Sequence, residues 1–239
     1  MCKRVSALTL VELLAVIAII VLLLAIMLPI LWQVRKRSYQ TVCTSNLRQL
    51  AAAVGMYRED HDGLLPEMQR QLWRYFKLRE LLVCPADRTP DGAATLEANH
   101  PETPPDQRMK TSYYYVGDEF LFYRSVREND EVVDYLKRLS EVDPNHGVFV
   151  CVLHGDPVFK GGVVVPKHDV KGLVLRARLD GSVQRARVEF VCVQREGWTY
   201  GYRLAWHLFT DVRPAPDAIV REHPTLREGR VVPCSPPYN

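Results

Sequence analysis

The chain has 239 residues, 31 Lys and Arg against 28 Asp and Glu, and a formal net charge of +3. So even a balance gives no electrostatic case for a nucleic-acid partner. The length allows one core of moderate size with room for a satellite subdomain, and no second apolar run of spanning length follows the first.

That first run organises the chain. Ala7 to Trp32 reads ALTLVELLAVIAIIVLLLAIMLPILW, with Glu12 as its single charge. From Leu13 to Trp32 nothing is charged, and at about 1.5 Å rise per residue a helix of this length covers roughly 30 Å, the hydrocarbon thickness of a bilayer. A secretory signal has a shorter apolar region followed by small residues. Here Ser6 and Ala7 precede the run, which reverses that polarity. A carboxylate near hydrocarbon costs roughly 2.5–3.5 kcal/mol, so Glu12 implies either an interfacial, snorkelling acid or one with a cationic partner.

Beyond the anchor the helix is expected to continue. Tyr39, Cys43, Leu47, Leu50, Val54 and Tyr57 recur at helical steps and draw one apolar stripe, ending near His61-Asp62-Gly63 with Pro66 beyond. Glu67 to Leu82 reads as a short second helix offering Leu72, Trp73, Phe76 and Leu81 for burial. Cys84 to Gln107 is Pro-rich and reads as a loop. Thr111–Val116 reads as a strand, Glu128–Val142 as a polar helix, and Gly147–Leu153 and Gly162–Val165 as short strands. Leu173–Leu179 faces Val183–Val193 across Asp180-Gly181 as a hairpin, with Arg176 and Arg178 against Arg185 and Arg187 on one wet face. Trp198–Phe209 adds a strand, and the tail from Arg213 is Pro-rich and extended. The fold class expected is α+β: a long N-terminal helix, membrane-spanning in its first half and amphipathic in its second, packed on a mostly antiparallel sheet domain.

The run Ser6-Ala7-Leu8-Thr9-Leu10-Val11-Glu12-Leu13-Leu14, after Lys3-Arg4, resembles the cleavage and methylation segment of type IV pilins and of type II secretion pseudopilins. Pro29 falls where such subunits often carry a helix-kinking proline. Ala7 stands where that family has Gly, and Leu8 where it usually has Phe. A second set of blocks resembles a large group of bacterial pilin-like proteins. It comprises Cys43 with Asn46-Leu47-Arg48-Gln49-Leu50, then Tyr57, Asp60, Asp62-Gly63, Pro66, Cys84-Pro85-Ala86-Asp87 and Ser112-Tyr113. His168 before Asp180-Gly181 echoes that group more loosely.

The resemblance implies removal of residues 1–7 by a prepilin peptidase and methylation of the new amine on Leu8, four residues before Glu12. It also implies packing of the apolar helices into a filament core, where Glu12 meets a neighbour's amino terminus. The expected organisation is leader 1–7, transmembrane helix 8–34, amphipathic continuation 35–66, exported domain 67–212 and tail 213–239. Partners are then the peptidase, other pilin-like subunits and the inner membrane, with the leader cytoplasmic and the rest outside. Charge alone leaves orientation open, since Arg35, Lys36 and Arg37 outnumber the basic residues on the near side.

Six cysteines remain to be placed. Cys2 belongs to the leader. Cys43 and Cys84 are the expected disulfide, Cys151 and Cys192 are expected as buried thiols, and Cys234 is unassigned. No Cys-x-x-Cys pair marks a zinc or redox site. His146, His154, Asp156, His168 and Asp169 gather in the β region but read as surface groups, and Asp211, Asp217 and Glu222 are too scattered for calcium. No catalytic motif is present, so neither enzyme activity, metal nor cofactor is expected. The expected function is a structural pilin-like subunit. The rival is a membrane-tethered binding module or enzyme that does not polymerise.

Overall fold

The computed structural model describes residues 10–76, 79–88, 110–118, 132–155, 157–160, 163–166, 173–188, 191–195, 198–202, 208–212 and 230–233. The leader, with Ala7 and Leu8, lies outside them, as do most of the Pro-rich loop, His168 and nearly all of the tail. One α-helix, α1 (Leu10–Asp60), is 51 residues long and includes Pro29. The chain divides within it into two units, Met1–Gln40 and Thr41–Asn239.

In the first unit every large apolar side chain from Leu10 to Val34 is exposed. This is the described residues' one helix long and apolar enough to cross a membrane, and it lies near the N-terminus.

In the second unit the same helix has an interior face. Cys43, Leu47, Leu50 and Val54, four of the six stripe residues, are fully buried, and Ala51 and Ala53 join them in one core cluster with Tyr113, Phe149 and Leu139. Burial of each large aliphatic side chain contributes roughly 1.5–3 kcal/mol. The helix stops where expected. Asp62 and Gly63 both turn left-handed, with φ of 52° and 81°, and the Gly63 N–H donates to the Arg58 carbonyl at 2.8 Å.

The expected second helix is instead two 3₁₀ turns, Gln69–Arg74 and Arg79–Leu82. Leu72 and Phe76 are buried, but Trp73 is exposed and Leu81 only half-buried. A 3₁₀ turn repeats every three residues, so the helical stripe assumed for this segment does not form.

The remaining elements are β1 (Tyr114–Tyr115), α2 (Val132–Val142), β2 (Gly147–Cys151), β3 (Pro157–Lys160), β4 (Val163–Pro166), β5 (Leu173–Arg178), β6 (Val183–Arg187), β7 (Val191–Arg195), β8 (Trp198–Tyr202) and β9 (Arg230–Val232). The main sheet is antiparallel with order β1-β2-β5-β6; β3-β4 and β8-β7-β9 form smaller ones. A long apolar N-terminal helix with a four-stranded antiparallel sheet makes the protein α+β. The expected strand Val183–Val193 is split between two sheets, and β9 pairs with β7 from within the tail.

The hairpin turn forms at Asp180-Gly181, with Gly181 left-handed at φ 79°. Its register overturns the expected basic face. Arg176 lies opposite Gln184, and Arg185 opposite Leu175, so the two arginine pairs occupy opposite faces. A strand has period two, and one residue of register exchanges its faces. Arg176 is buried, donating from Nε to the Leu208 carbonyl at 2.6 Å and from Nη1 to Asp211 at 2.8 Å. Arg178 bonds Asn145 and Asp143.

Two glycines give opposite predictions. A Cβ on Gly117 would overlap the Glu67 carbonyl and come within 2.9 Å of Tyr115, whereas one on Gly55 in α1 meets nothing. Gly117→Ala is expected to destabilise by about 1–3 kcal/mol. Gly55→Ala is expected to stabilise by about 0.5–1 kcal/mol, because it removes a helix-interior glycine. Denaturant midpoints of the two variants against wild type check both signs.

Candidate functional site

Two places in the chain carry chemistry that packing alone does not explain. The first is the apolar helix, where Glu12 lies in the first turn and Pro29 in the interior of α1. An acid in a first turn is favoured by the positive end of the helix dipole.

The second is in the Thr41–Asn239 unit. Cys43 projects from α1, Cys84 follows the second 3₁₀ turn, Cys151 ends β2, and His154 sits in the turn after it. The three Sγ atoms and one imidazole nitrogen all lie within 4.8 Å of one another, and all four residues are buried. Cys84 Sγ and His154 Nε2 are 3.3 Å apart.

Local structure fixes each donor. Cys84 opens a turn through Pro85 and Ala86 in which the Asp87 N–H donates to the Cys84 carbonyl at 2.8 Å. Pro suits the second position of such a turn because its φ is already set. The Cys84 N–H donates to Ser112 Oγ at 2.9 Å, Ser112 Oγ donates to Asp87 at 2.5 Å, and the Ser112 N–H donates to the Leu82 carbonyl at 2.8 Å. Asn46, one turn along α1 from Cys43, donates to the Val83 carbonyl at 3.5 Å and to the Tyr113 hydroxyl at 3.3 Å. The helix, the 82–87 turn and the Ser112-Tyr113 segment that leads into β1 are thus tied together beside the sulfurs.

The thiols are not equivalent. Hydrogen bonds from Cys151 and Cys43 hold the Cys84 thiol well below its ordinary range, against its own burial, and His154 adds to the effect. Burial pushes Cys43 and Cys151 up.

Cys43 and Cys84, expected as a disulfide, do converge, but both are free thiols here, as is Cys151. Two further donors share the space, so the arrangement is a set of four and not a pair. The expectation of no metal site rested on the lack of a Cys-x-x-Cys pair and on reading the histidines of the β region as surface groups. The local signal was instead Cys151-Val152-Leu153-His154, one thiol and one imidazole three residues apart at a strand end. The expected surface histidines fare no better, because His146 and His154 are both buried. His146 sits apart, with Nδ1 2.7 Å from the Gly147 carbonyl and Nε2 3.2 Å from Ser140 Oγ. Asp156, His168, Asp169, Asp217, Glu222 and Cys234 lie outside the described residues, and Asp211 is engaged by Arg176.

Comparison with protein families, with characterised proteins and with solved structures yields no match for this chain.

His146 gives a pH prediction. Burial lowers its pKa from the ordinary 6.5. Below that value the unfolded chain takes up a proton that folded His146 resists, so its contribution is retained above pH 6.5 and lost as pH falls. Urea midpoints measured from about pH 7 to 5 should fall more steeply for wild type than for His146→Asn.

Proposed function

We propose that the chain is a structural, pilin-like subunit: cut after Ala7 by a prepilin peptidase, methylated on Leu8, and assembled through its apolar helix into a cell-envelope filament or secretion pseudopilus. One observation carries this reading. A helix whose large apolar side chains from Leu10 to Val34 are all exposed holds a carboxylate, Glu12, in its first turn. Hydrocarbon accounts for the apolar surface, but a tether in hydrocarbon gains nothing from an acid. A subunit packed among its own copies does, because Glu12 then has the Leu8 ammonium of a neighbour to meet. The small residues before the run and the Lys3-Arg4 leader support the same reading.

The energetics place the effect in assembly. In the dispersed, membrane-inserted protein both groups can reach the wet interface. In a filament core the effective dielectric is low and the pair attracts more strongly than in water. Removing one partner leaves an uncompensated charge at a cost of roughly 3–5 kcal/mol.

Glu12→Leu is expected to insert, fold its outer domain and accumulate as wild type, yet to lose the crosslinked oligomer ladder that wild type gives in cells. Intact mass of the membrane-extracted protein should show a chain that begins at methylated Leu8. Retention of residues 1–7 in cells with an active prepilin peptidase, or an undiminished ladder for Glu12→Leu, would favour a non-polymerising tethered domain.

A further inference from the structure

We propose that Cys43, Cys84, Cys151 and His154 form a structural zinc site, binding one Zn²⁺ in Cys₃His coordination at the junction of α1, the 82–87 turn and the end of β2.

The donor set has the right chemistry. Thiolate sulfur and neutral imidazole nitrogen are the ligands Zn²⁺ takes in closed structural sites, four at a time and tetrahedral. With Zn–S of about 2.3 Å, the ligand atoms of such a site stand about 3.8 Å apart. The four donor atoms here all lie within 4.8 Å of one another, with Cys84 Sγ and His154 Nε2 at 3.3 Å. One small ion fits among them with adjustments of side-chain torsions. A Cys43–Cys84 disulfide would use two of the four and leave a third buried thiol and a buried imidazole facing it without a role. Burial closes the site to substrate, and four protein donors leave no open position, which separates a structural centre from a catalytic one.

The surroundings are also those of a metal site. Ligand side chains need outer partners that fix their orientation. Asn46, one turn from Cys43, donates to Tyr113 and to the Val83 carbonyl beside Cys84, and the turn presenting Cys84 is held by Ser112 and Asp87. Three thiolates, one neutral imidazole and Zn²⁺ sum to −1. On binding, each thiol still protonated releases its proton to solvent, His154 supplies its Nε2 lone pair, and the ion exchanges its water ligands for the four side chains. No electron moves. The site joins positions 43, 84, 151 and 154, so it cross-links the helix to the sheet across long stretches of chain and is worth folding free energy.

The test uses the full chain, untagged, purified in detergent with reductant, and measures metal by mass spectrometry alongside thermal melting. The expected result is about one zinc per chain, and Co²⁺ exchange giving the visible bands and thiolate charge transfer of a tetrahedral sulfur-rich site. Cys151→Ser and His154→Leu should lose the metal and melt lower, with chelator adding no further loss. His154→Cys, which keeps four donors, should retain the ion with an altered cobalt spectrum, and this separates loss of a ligand from loss of fold. Three results overturn the proposal: protein that neither carries zinc nor takes up cobalt when its thiols are reduced; full zinc occupancy in Cys151→Ser; or peptide mapping that finds Cys43 and Cys84 joined in the native protein. None of these bears on processing at Ala7 or on Glu12, so the filament reading stands or falls separately.

Discussion

The C-terminal half of α1 has to be covered, and the second unit is built around that requirement. Cys43, Leu47, Leu50 and Val54 stand on one face with no solvent exposure, and no isolated helix could keep them so. Two 3₁₀ turns, the Cys84 turn, β1 and β2 contribute to the same core cluster. Asn46 is the polar exception on this face. Its amide reaches both Val83 and Tyr113, so one residue aligns the turn and the edge of the sheet with the helix. A buried amide left unpaired would cost about 1–3 kcal/mol, which makes this alignment specific as well as stable.

The first half of the helix, Leu10 to Val34, is long and apolar enough to cross a membrane. Its apolar side chains have no stripe, which suits a helix that hydrocarbon could surround on every side, whereas the later stripe reflects a core on one side only. In the proposed subunit the two halves have separate tasks. The apolar half inserts and assembles, with Glu12 supplying register between copies, and the amphipathic half carries a rigid outer domain. A zinc centre on the first turns of that second half would hold the domain to the helix where assembly forces enter it.

Charge is handled in the second unit by burial with partners. Arg176 lies under the 208–211 segment, held by a carbonyl and by the largely exposed Asp211, and burial lowers its pKa even so. The neighbouring Asp143 receives both Arg178 and the Thr210 hydroxyl. These contacts attach the 208–212 segment to β5. They explain how a strand with arginines at alternate positions can run through the interior of a sheet.

What the sequence determined by itself is everything that depends on local pattern. The long apolar helix, its continuation to Asp60, the left-handed stop at Gly63, the Asp180-Gly181 turn and the α+β class follow from periodicity, from glycine's freedom at positive φ and from the length of an apolar run. Tertiary structure alone decided what depends on the partner. Whether Arg176 faced water or the core turned on a one-residue register that no turn signal specifies. Between Gln69 and Leu82 two 3₁₀ turns stand where the pattern pointed to a helix, with Leu72 and Phe76 buried against the core. The convergence of Cys43, Cys84, Cys151 and His154 was hidden for the same reason. Except for the Cys151-x-x-His154 step, their spacing along the chain carries no signal, and only the folding of the 82–87 turn and β2 onto α1 brings the four donors within reach of one ion.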